Sequence, residues 1–224
     1  MKSIKTPAIV LRRTNYGEAD RILQLLTPDG KKSVMAKSVR KEKSRLAGGI
    51  ELFAVCNVVI TEGKGDLGTL TSARLGHFFK NIMADYDRLQ FGYQVIKLIN
   101  SASEMVSEPE WYDVLVEVLG GLDAVSVPLQ VTQTWFYLKY ASLMGYELSL
   151  YNDINGDKLL VDQTYRYDVG ERGLRPVVGG EITAEHIKFL RLLSTKSIKI
   201  IAQIGGIDNI IGNCLYLSQE HASI

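Results

Sequence analysis

The sequence predicts an α+β protein in which a β-rich first third is followed by a helical remainder. Between residues 8 and 75 of the 224-residue chain, short runs of Val, Ile and Leu alternate with turns that contain Pro or Gly, which is the pattern of paired strands. From about His77 the apolar residues recur at helical spacing instead. No helix-period segment separates the strands, which excludes βαβ units.

Five short strands are predicted, and the last four form two hairpins. The strands cover residues 8–11, 21–27, 32–39, 52–61 and 67–75. Pro28 and Gly30 suit a tight reversal in the first hairpin, and the Gly-rich residues 62–66 form the turn of the second. Five short antiparallel strands favour a small closed or half-closed barrel over an open sheet, because closure leaves no free edge.

The remainder of the chain is predicted to form helices on either side of one irregular segment. The predicted helices cover 85–101, 110–120 with an end at Gly120-Gly121, 128–144, a helix that Thr183 caps, and a pair over 198–217 that is broken at Gly205-Gly206. Residues 146–180 are irregular, with room for a β-hairpin. The change of pattern near residues 77–81 predicts two domains, 1–80 and 81–224.

The charge is distributed unevenly along the chain. The net charge is +1, but residues 1–80 hold 15 Lys and Arg against 7 Asp and Glu, whereas residues 81–224 hold 11 against 18. The near-neutral total is therefore a cancellation between a basic and an acidic part. This asymmetry indicates that the first domain meets a polyanion.

A basic segment connects the two hairpins, with five cations among residues 37–45. Cations of this kind bind phosphates without regard to sequence, and a small basic barrel is typical of proteins that bind single strands. A solvated loop without a partner is the open alternative. The candidate DNA-binding residues are Arg12, Arg13, Arg21, Lys31, Lys37, Arg40, Lys41, Lys43, Arg45, Lys64 and Arg74.

Aromatic side chains are sparse in the first domain. The candidates for base stacking there are Tyr16, Phe53, Phe78 and Phe79. We therefore expect stacking to contribute less than phosphate contacts, and the preference for single over double strands to be modest.

No catalytic or metal-binding pattern stands out, and we predict a protein that is not an enzyme and holds no metal or cofactor. The three histidines are far apart, and we expect surface or capping roles for them. Cys56 and Cys214 are expected to be buried free thiols in a reducing compartment. Asp29, Glu62 and Lys64 mimic a metal-dependent nuclease set, but each lies in a tight turn.

The ends and the apolar stretches of the chain predict a cytoplasmic protein. The first seven residues lack the long apolar core of a signal peptide. The most apolar late stretch, residues 198–217, includes Lys199, Asp208 and two adjacent glycines, so it does not span a membrane.

An ordered set of segments in the first domain resembles one known family. The segments are AIVLR at residues 8–12, YGEADRIL at 16–23, LTPDG at 26–30, KSRLAGGIELF at 43–53 and GKGDLGTLTSA at 63–73. Together they resemble the opening of RecO, the bacterial recombination mediator. Beyond residue 80 the resemblance is one of pattern, with a helix end at Gly145 and a glycine pair at 179–180.

The resemblance implies an N-terminal OB-fold, a helical C-terminal domain and a role in DNA repair and recombination. It further implies binding of single- and double-stranded DNA and annealing of complementary strands. Together with RecR, such a protein loads recombinase onto strands coated by single-strand-binding protein, whose C-terminal tail it also binds. The expected location is the bacterial nucleoid.

The same resemblance raises the question of zinc. Many members of the family carry a four-cysteine zinc site in the region that corresponds to residues 150–180, where this chain has no cysteine. The expectation is therefore no zinc.

Two other functions stay open at this stage. The first is an OB-fold module that binds structured RNA, which would prefer RNA over DNA of equal sequence through its 2′-hydroxyl groups. The second is a protein-only adaptor whose basic segment meets an acidic protein and which binds no nucleic acid.

Overall fold

Five strands at the start of the chain close into a barrel in this computed structural model, which describes residues 2–63 and 65–223. The strands are β1 (Ser3–Tyr16), β2 (Asp20–Thr27), β3 (Gly30–Ala36), β4 (Ala54–Thr61) and β5 (Leu67–Phe78). Their order around the barrel is β1-β2-β3-β5-β4, with β4 returning to β1. Both predicted hairpins are confirmed, and the closed five-stranded arrangement is that of an OB-fold.

One pairing in the barrel is parallel, and it joins the two hairpins. β3 runs alongside β5, with Ser33 opposite Leu67 and Met35 opposite Thr69. The remaining pairs, including β1 with β4, are antiparallel. The barrel therefore closes through contacts between residues far apart in the sequence.

β1 is much longer than predicted. Its 14 residues pair with β4 through Ser3–Ile9 and with β2 through Ile9–Tyr16, so one strand serves both neighbours. A register shift between Val10 and Arg12 bends the strand where it changes partner. The prediction of residues 8–11 was too short because it recognised only the buried apolar middle.

Alternation along the strands divides the barrel into an interior and an outer face. The interior cluster includes Val10, Leu23, Leu25, Val34 and Ile60, all buried. Ile9 and Leu26 lie opposite each other on β1 and β2 and point outward, yet they are also buried. The helices that follow the barrel contact β1, β2 and β3, and they cover this part of the outer face.

Two helices belong to the same compact unit as the barrel, which spans Met1–Asp123. They are α1 (Tyr86–Met105) and α2 (Glu110–Asp123). The Asp85 side chain caps α1 by accepting the Arg88 N–H at 3.0 Å. The expected end of α2 at its glycine pair was wrong, since neither glycine takes a left-handed conformation. Instead, the buried Arg88 guanidinium donates to the carbonyls of Gly121 and Leu122.

The second compact unit, Ala124–Ile224, is mostly helical. It contains α3 (Leu129–Leu143), β6 (Tyr165–Asp168), β7 (Gly173–Pro176), α4 (Ala184–Thr195), α5 (Ile198–Ile201) and α6 (Ile211–Ala222). The β6–β7 pair is the hairpin for which the irregular segment left room. The two compact units meet between Asp123 and Ala124 in the chain, and the division into domains at residues 80 and 81 stays a prediction.

α3 is the central helix of this unit, as its apolar surface predicted. It contacts α4, α5 and α6, and nine of its residues are buried. Gly145 ends it with φ of 86°, and the Tyr146 N–H returns to the Ala141 carbonyl at 2.8 Å. Among residues 2–63 and 65–223, no helix has the length and hydropathy needed to cross a bilayer.

Candidate nucleic-acid interface

The basic segment, residues 37–45, is folded into consecutive turns. The Lys41 N–H donates to the Ser38 carbonyl and the Ser44 N–H to the Lys41 carbonyl, at 3.2 and 3.0 Å. Val39 anchors the segment because its side chain is only 3% exposed and belongs to the barrel interior. The cations on either side of Val39 project from a backbone that is already held in place.

Three hydrogen bonds fasten the basic segment to the turn between β1 and β2. The Ser38 N–H donates to the Asp20 carboxylate at 2.6 Å, and the Arg40 N–H donates to the Ala19 carbonyl at 2.9 Å. The Arg40 guanidinium also donates to the Gly17 carbonyl at 3.2 Å. Ser38 has φ of 54°, a left-handed conformation that is unfavourable for Ser and that the Asp20 bond stabilises.

Arg13 and Arg21 add their charges on one face of the β1–β2 pair. Arg13 lies opposite Leu23, and Arg21, two residues before Leu23, lies opposite Asn15. Residues two apart share a face of a strand, so both guanidinium groups lie on the same side. Arg13 pairs with Glu51 at 3.6 Å, and Arg21 Nε donates to Asn15 Oδ1 at 3.1 Å. We call the basic segment, residues 17–20, Arg13 and Arg21 the basic end of the barrel.

Several predicted cations keep their charged groups free for a ligand. Lys37, Lys41, Lys43 and Arg45 are exposed, and within residues 2–63 and 65–223 their side chains make no hydrogen bond or ion pair. A phosphate can therefore bind there without displacing a partner within the described part of the chain.

Three other candidates lie away from the basic end, and a fourth cannot be placed. Arg74 is exposed on the outer face of β5, opposite Asn57. Arg12 lies opposite Gln24, on the other face of β1 from Arg13. Lys31 lies on β3 and bonds to α1, and Lys64 lies outside the described residues.

Lys31 holds α1 against the barrel. Its ammonium donates to the Asn100 carbonyl at 3.0 Å and to the Glu104 carboxylate at 2.5 Å. This hydrogen bond, with the attraction of the same charge, lowers the pKa of Glu104 from its ordinary value. A phosphate would have to compete with both partners, so Lys31 is the weakest of the described candidates.

Of the four aromatic residues considered for stacking, Tyr16 is the accessible one. It is 56% exposed at the end of β1. Phe53 and Phe79 are buried, and Phe78 packs against the barrel interior. Within the barrel, there are therefore more candidates for phosphate contacts than for base stacking.

Two residues that position the basic end were missed by sequence reasoning. Asp20 and Val39 carry no affinity of their own, but they fix the segment that carries the cations. A signal for Val39 existed, because it is the one strongly apolar residue between Lys37 and Arg45. No local pattern pointed to Asp20, whose partner lies 18 residues away.

A cavity of about 460 Å³ lies at the far end of the barrel, beside the turn between β2 and β3 and the loop between β4 and β5. Asp29, Glu62 and Asp66 line it together with Lys31 and Lys32. The turns therefore do bring the nuclease-like carboxylates to one cavity. Even so, the described residues contain no group of three or more Asp, Glu, His or Cys side chains arranged to hold a metal ion.

The two thiols are buried and free, as predicted. Burial raises the pKa of Cys56 to about 11 and that of Cys214 to about 12. Both therefore remain protonated at neutral pH, which makes them poor nucleophiles and poor metal ligands.

The histidines of the second unit have structural roles. His186 Nδ1 accepts the Thr183 N–H at 3.2 Å and so completes the predicted cap of α4. His221 was expected at the surface or at a cap, and that expectation was wrong. It is buried, with Nε2 against the Tyr146 carbonyl and Nδ1 2.9 Å from the Tyr167 hydroxyl.

The irregular segment lacks the thiolate and imidazole ligands that structural zinc sites use most. Residues 150–180 contain neither Cys nor His. Hydrogen bonds order this segment instead, with the Asp153 carboxylate accepting the N–H groups of Asn155 and Asp157. The Arg172 guanidinium donates to the His221 carbonyl at 2.6 Å and stacks over the Tyr146 ring.

The chain has a basic OB-fold barrel and then a mostly helical remainder. This arrangement defines a two-part OB-fold protein. The family described as recombination protein O, N terminal, matches residues 1–79, and recombination protein O, C terminal, matches residues 83–212. The chain belongs to the RecO family of DNA repair and recombination proteins.

Relatives that carry the name DNA repair protein RecO support this membership. The protein of Dehalococcoides mccartyi strain CBDB1 is 31% identical over 208 residues, which cover 89% of this chain and 81% of the relative. That of Roseiflexus sp. strain RS-1 is 30% identical over 80% of this chain and 60% of its own length. That of Heliobacterium modesticaldum is 36% identical over 67% and 55%.

Proposed function

We propose that this chain is a non-enzymatic recombination mediator that binds single- and double-stranded DNA at the basic end of its barrel. The observation that carries the proposal is the anchored basic segment, in which Lys37, Lys41, Lys43 and Arg45 keep their charged groups unpaired. Membership of a DNA repair family supports DNA as the polyanion.

Counterion release supplies the binding free energy. Each cation that neutralises a phosphate releases condensed counterions, so affinity falls as salt rises. The Val39 anchor and the Asp20 hydrogen bond hold the segment before DNA arrives, and less conformational entropy is lost on binding.

Annealing of complementary strands follows from the same chemistry. Two polyanions repel each other, and a protein that neutralises both lowers that barrier without any covalent step. This is the reason for proposing a mediator rather than an enzyme.

The acidic part of the chain would serve protein partners. Residues 81–224 carry seven more Asp and Glu than Lys and Arg, so this part repels DNA. We propose RecR and the C-terminal tail of single-strand-binding protein as partners, and loading of recombinase as the outcome. Family membership is what supports these partners.

Removal of two charges tests the interface. In K41A/K43A two exposed cations of the basic segment are lost, whereas K188A/K199A removes two exposed cations from the second unit and has the same net charge. Fluorescence anisotropy with a labelled single strand would compare both variants with the parent from roughly 50 to 300 mM salt.

We expect the DNA affinity and its salt dependence to change in K41A/K43A only. Each single-strand contact contributes about 0.7 to the slope of log affinity against log salt, so K41A/K43A should flatten the slope by roughly 1.4 and weaken binding at 0.1 M salt by about 25-fold. K188A/K199A should match the parent. Equal slopes in all three proteins would contradict the proposal.

The other two functions have their own signatures in this assay. Tighter binding of RNA than of DNA of equal sequence would favour an RNA-binding module. No binding of either nucleic acid at 50 mM salt would favour the protein adaptor.

A further inference from the structure

An exposed tyrosine on α1 lies beside the barrel. Tyr93 is 47% exposed, and its ring packs edge-on against Phe53, with 5.0 Å between the ring centroids. Tyr86 lies seven residues earlier on the same face of the helix and is 73% exposed. Both tyrosines lie beyond residue 80, outside the domain in which the sequence predicted stacking residues.

A short piece of backbone connects the ring partner of Tyr93 to a residue that contacts the basic end. Phe53, its ring partner, follows Glu51 by two residues, and Glu51 pairs with Arg13 of the basic end at 3.6 Å. Consecutive Cα atoms are about 3.8 Å apart, so the Cα atoms of Glu51 and Phe53 lie within about 8 Å of each other.

The ring against which Tyr93 packs is held in place by its surroundings. The Phe53 carbonyl accepts the Phe79 N–H at 3.0 Å, which holds Phe53 at the end of the barrel. Gly92 leaves room for the Phe53 ring, because a Cβ there would lie 2.9 Å from Phe53 Cε1. A ring packed against such a partner loses little conformational entropy when a ligand stacks on it.

The charges around Tyr93 suit a nucleic-acid strand. Lys97 is exposed one helical turn further along α1, and Arg13 of the basic end pairs with Glu51, two residues before Phe53. The carboxylates near this face are Glu51, which pairs with Arg13, and Asp85 and Asp87, which flank Tyr86 at the start of the helix. Asp85 already caps α1. Phosphates are therefore favoured at Tyr93 and disfavoured at Tyr86.

We propose that Tyr93 is a stacking platform for an unpaired base of single-stranded nucleic acid whose phosphates are bound at the basic end. The inference rests on the proposed function. Every base has a π face, so such a platform needs no particular sequence. Bases of a duplex already stack on each other, so the platform selects single strands and supplies the stacking that the barrel lacks.

Three substitutions test the platform. Y93L keeps an apolar side chain against Phe53 but removes the ring, and Y93F keeps the ring. Y216L removes another exposed tyrosine, from α6, as a control. Anisotropy would measure affinity for an oligo-dT strand and for a duplex of equal length across the same salt range.

Stacking gives a signature that phosphate contact does not. Y93L should weaken single-strand binding about fivefold or more while leaving the salt slope unchanged, because no counterion is involved. Duplex affinity should not change, and Y93F and Y216L should behave as the parent. Unchanged single-strand affinity in Y93L would overturn the inference, as would equal losses on both ligands.

A second measurement keeps the test decisive if Y93L is poorly folded. In Y93W, oligo-dT should quench the new tryptophan fluorescence relative to the parent, and duplex should not. Absence of quenching with saturating oligo-dT would count against the platform. A parent protein that binds no DNA at all would instead refute the proposed function, so the two failures are distinguishable.

Discussion

Val39 should control DNA affinity although it carries no charge and touches no ligand. Its side chain is buried in the barrel interior and fixes the middle of the basic segment. Val39→Ala leaves every cation in place and removes only this anchor. The account therefore predicts weaker DNA binding with an unchanged salt slope.

The size of the effect follows from the buried carbon atoms. Val39→Ala deletes two methyl-sized groups, worth about 0.8 kcal/mol each in transfer free energy, and the cavity left behind brings the loss to about 2 kcal/mol. If the whole loss falls on the equilibrium between an anchored and a released segment, DNA affinity drops by at most about 30-fold.

A matched control separates local release from general destabilisation. Val58→Ala makes the same substitution in the barrel interior on β4, a strand that does not adjoin the basic segment. Both variants should lower the melting temperature by several degrees, and only Val39→Ala should raise the Kd for a labelled single strand. Equal Kd values for the two variants at a temperature where both are folded would refute the anchoring argument.

Two further predictions concern an ion pair and the pH dependence of stability. Lys31→Met should change the salt slope of DNA binding by much less than one contact, because Asn100 and Glu104 already occupy the ammonium; a slope change near 0.7 in anisotropy would show that Lys31 binds phosphate. Stability should fall as the pH drops through 6.5, the ordinary pKa of histidine. Burial lowers the pKa of His221 and of His186, so the unfolded chain binds more protons than the folded chain below that pH. Thermal unfolding at pH 7.5 and 5.5 should show a smaller difference in His221→Gln than in the parent, and an equal difference would contradict this role.

The local parts of the fold could be predicted, and the non-local parts could not. Pro28 and Gly30 mark the first hairpin, and Gly145 marks the end of α3, because these residues have strong backbone preferences of their own. The length of β1 depends on two different partner strands. The parallel pairing of β3 with β5 depends on closure of the whole barrel.

The close approach at Gly49 shows the same limit. A Cβ there would lie 2.4 Å from the backbone of Ala73 on β5, so the segment before β4 needs a glycine at this point. The sequence shows two adjacent glycines, but only the folded chain shows which one faces another backbone. Gly48, its neighbour, has open space around it.

The candidate site could likewise be predicted only in part from the sequence. Charge composition was enough to nominate the cations of the basic segment, because a cluster of Lys and Arg is visible in the local sequence. The groups that position them, Asp20 and Val39, act through contacts that charge counting cannot reveal. Tyr93 escaped notice because stacking residues were sought only before residue 80, whereas α1 folds back onto the barrel.

The salt dependence of DNA binding by the parent protein tests the central claim most directly. Fluorescence anisotropy with matched single-stranded DNA, duplex DNA and RNA across roughly 50–300 mM salt would give three slopes. Four engaged cations of the basic segment predict a single-strand slope of roughly −3, with DNA bound at least as tightly as RNA. No DNA binding at 50 mM salt, or a slope near zero, would contradict the account.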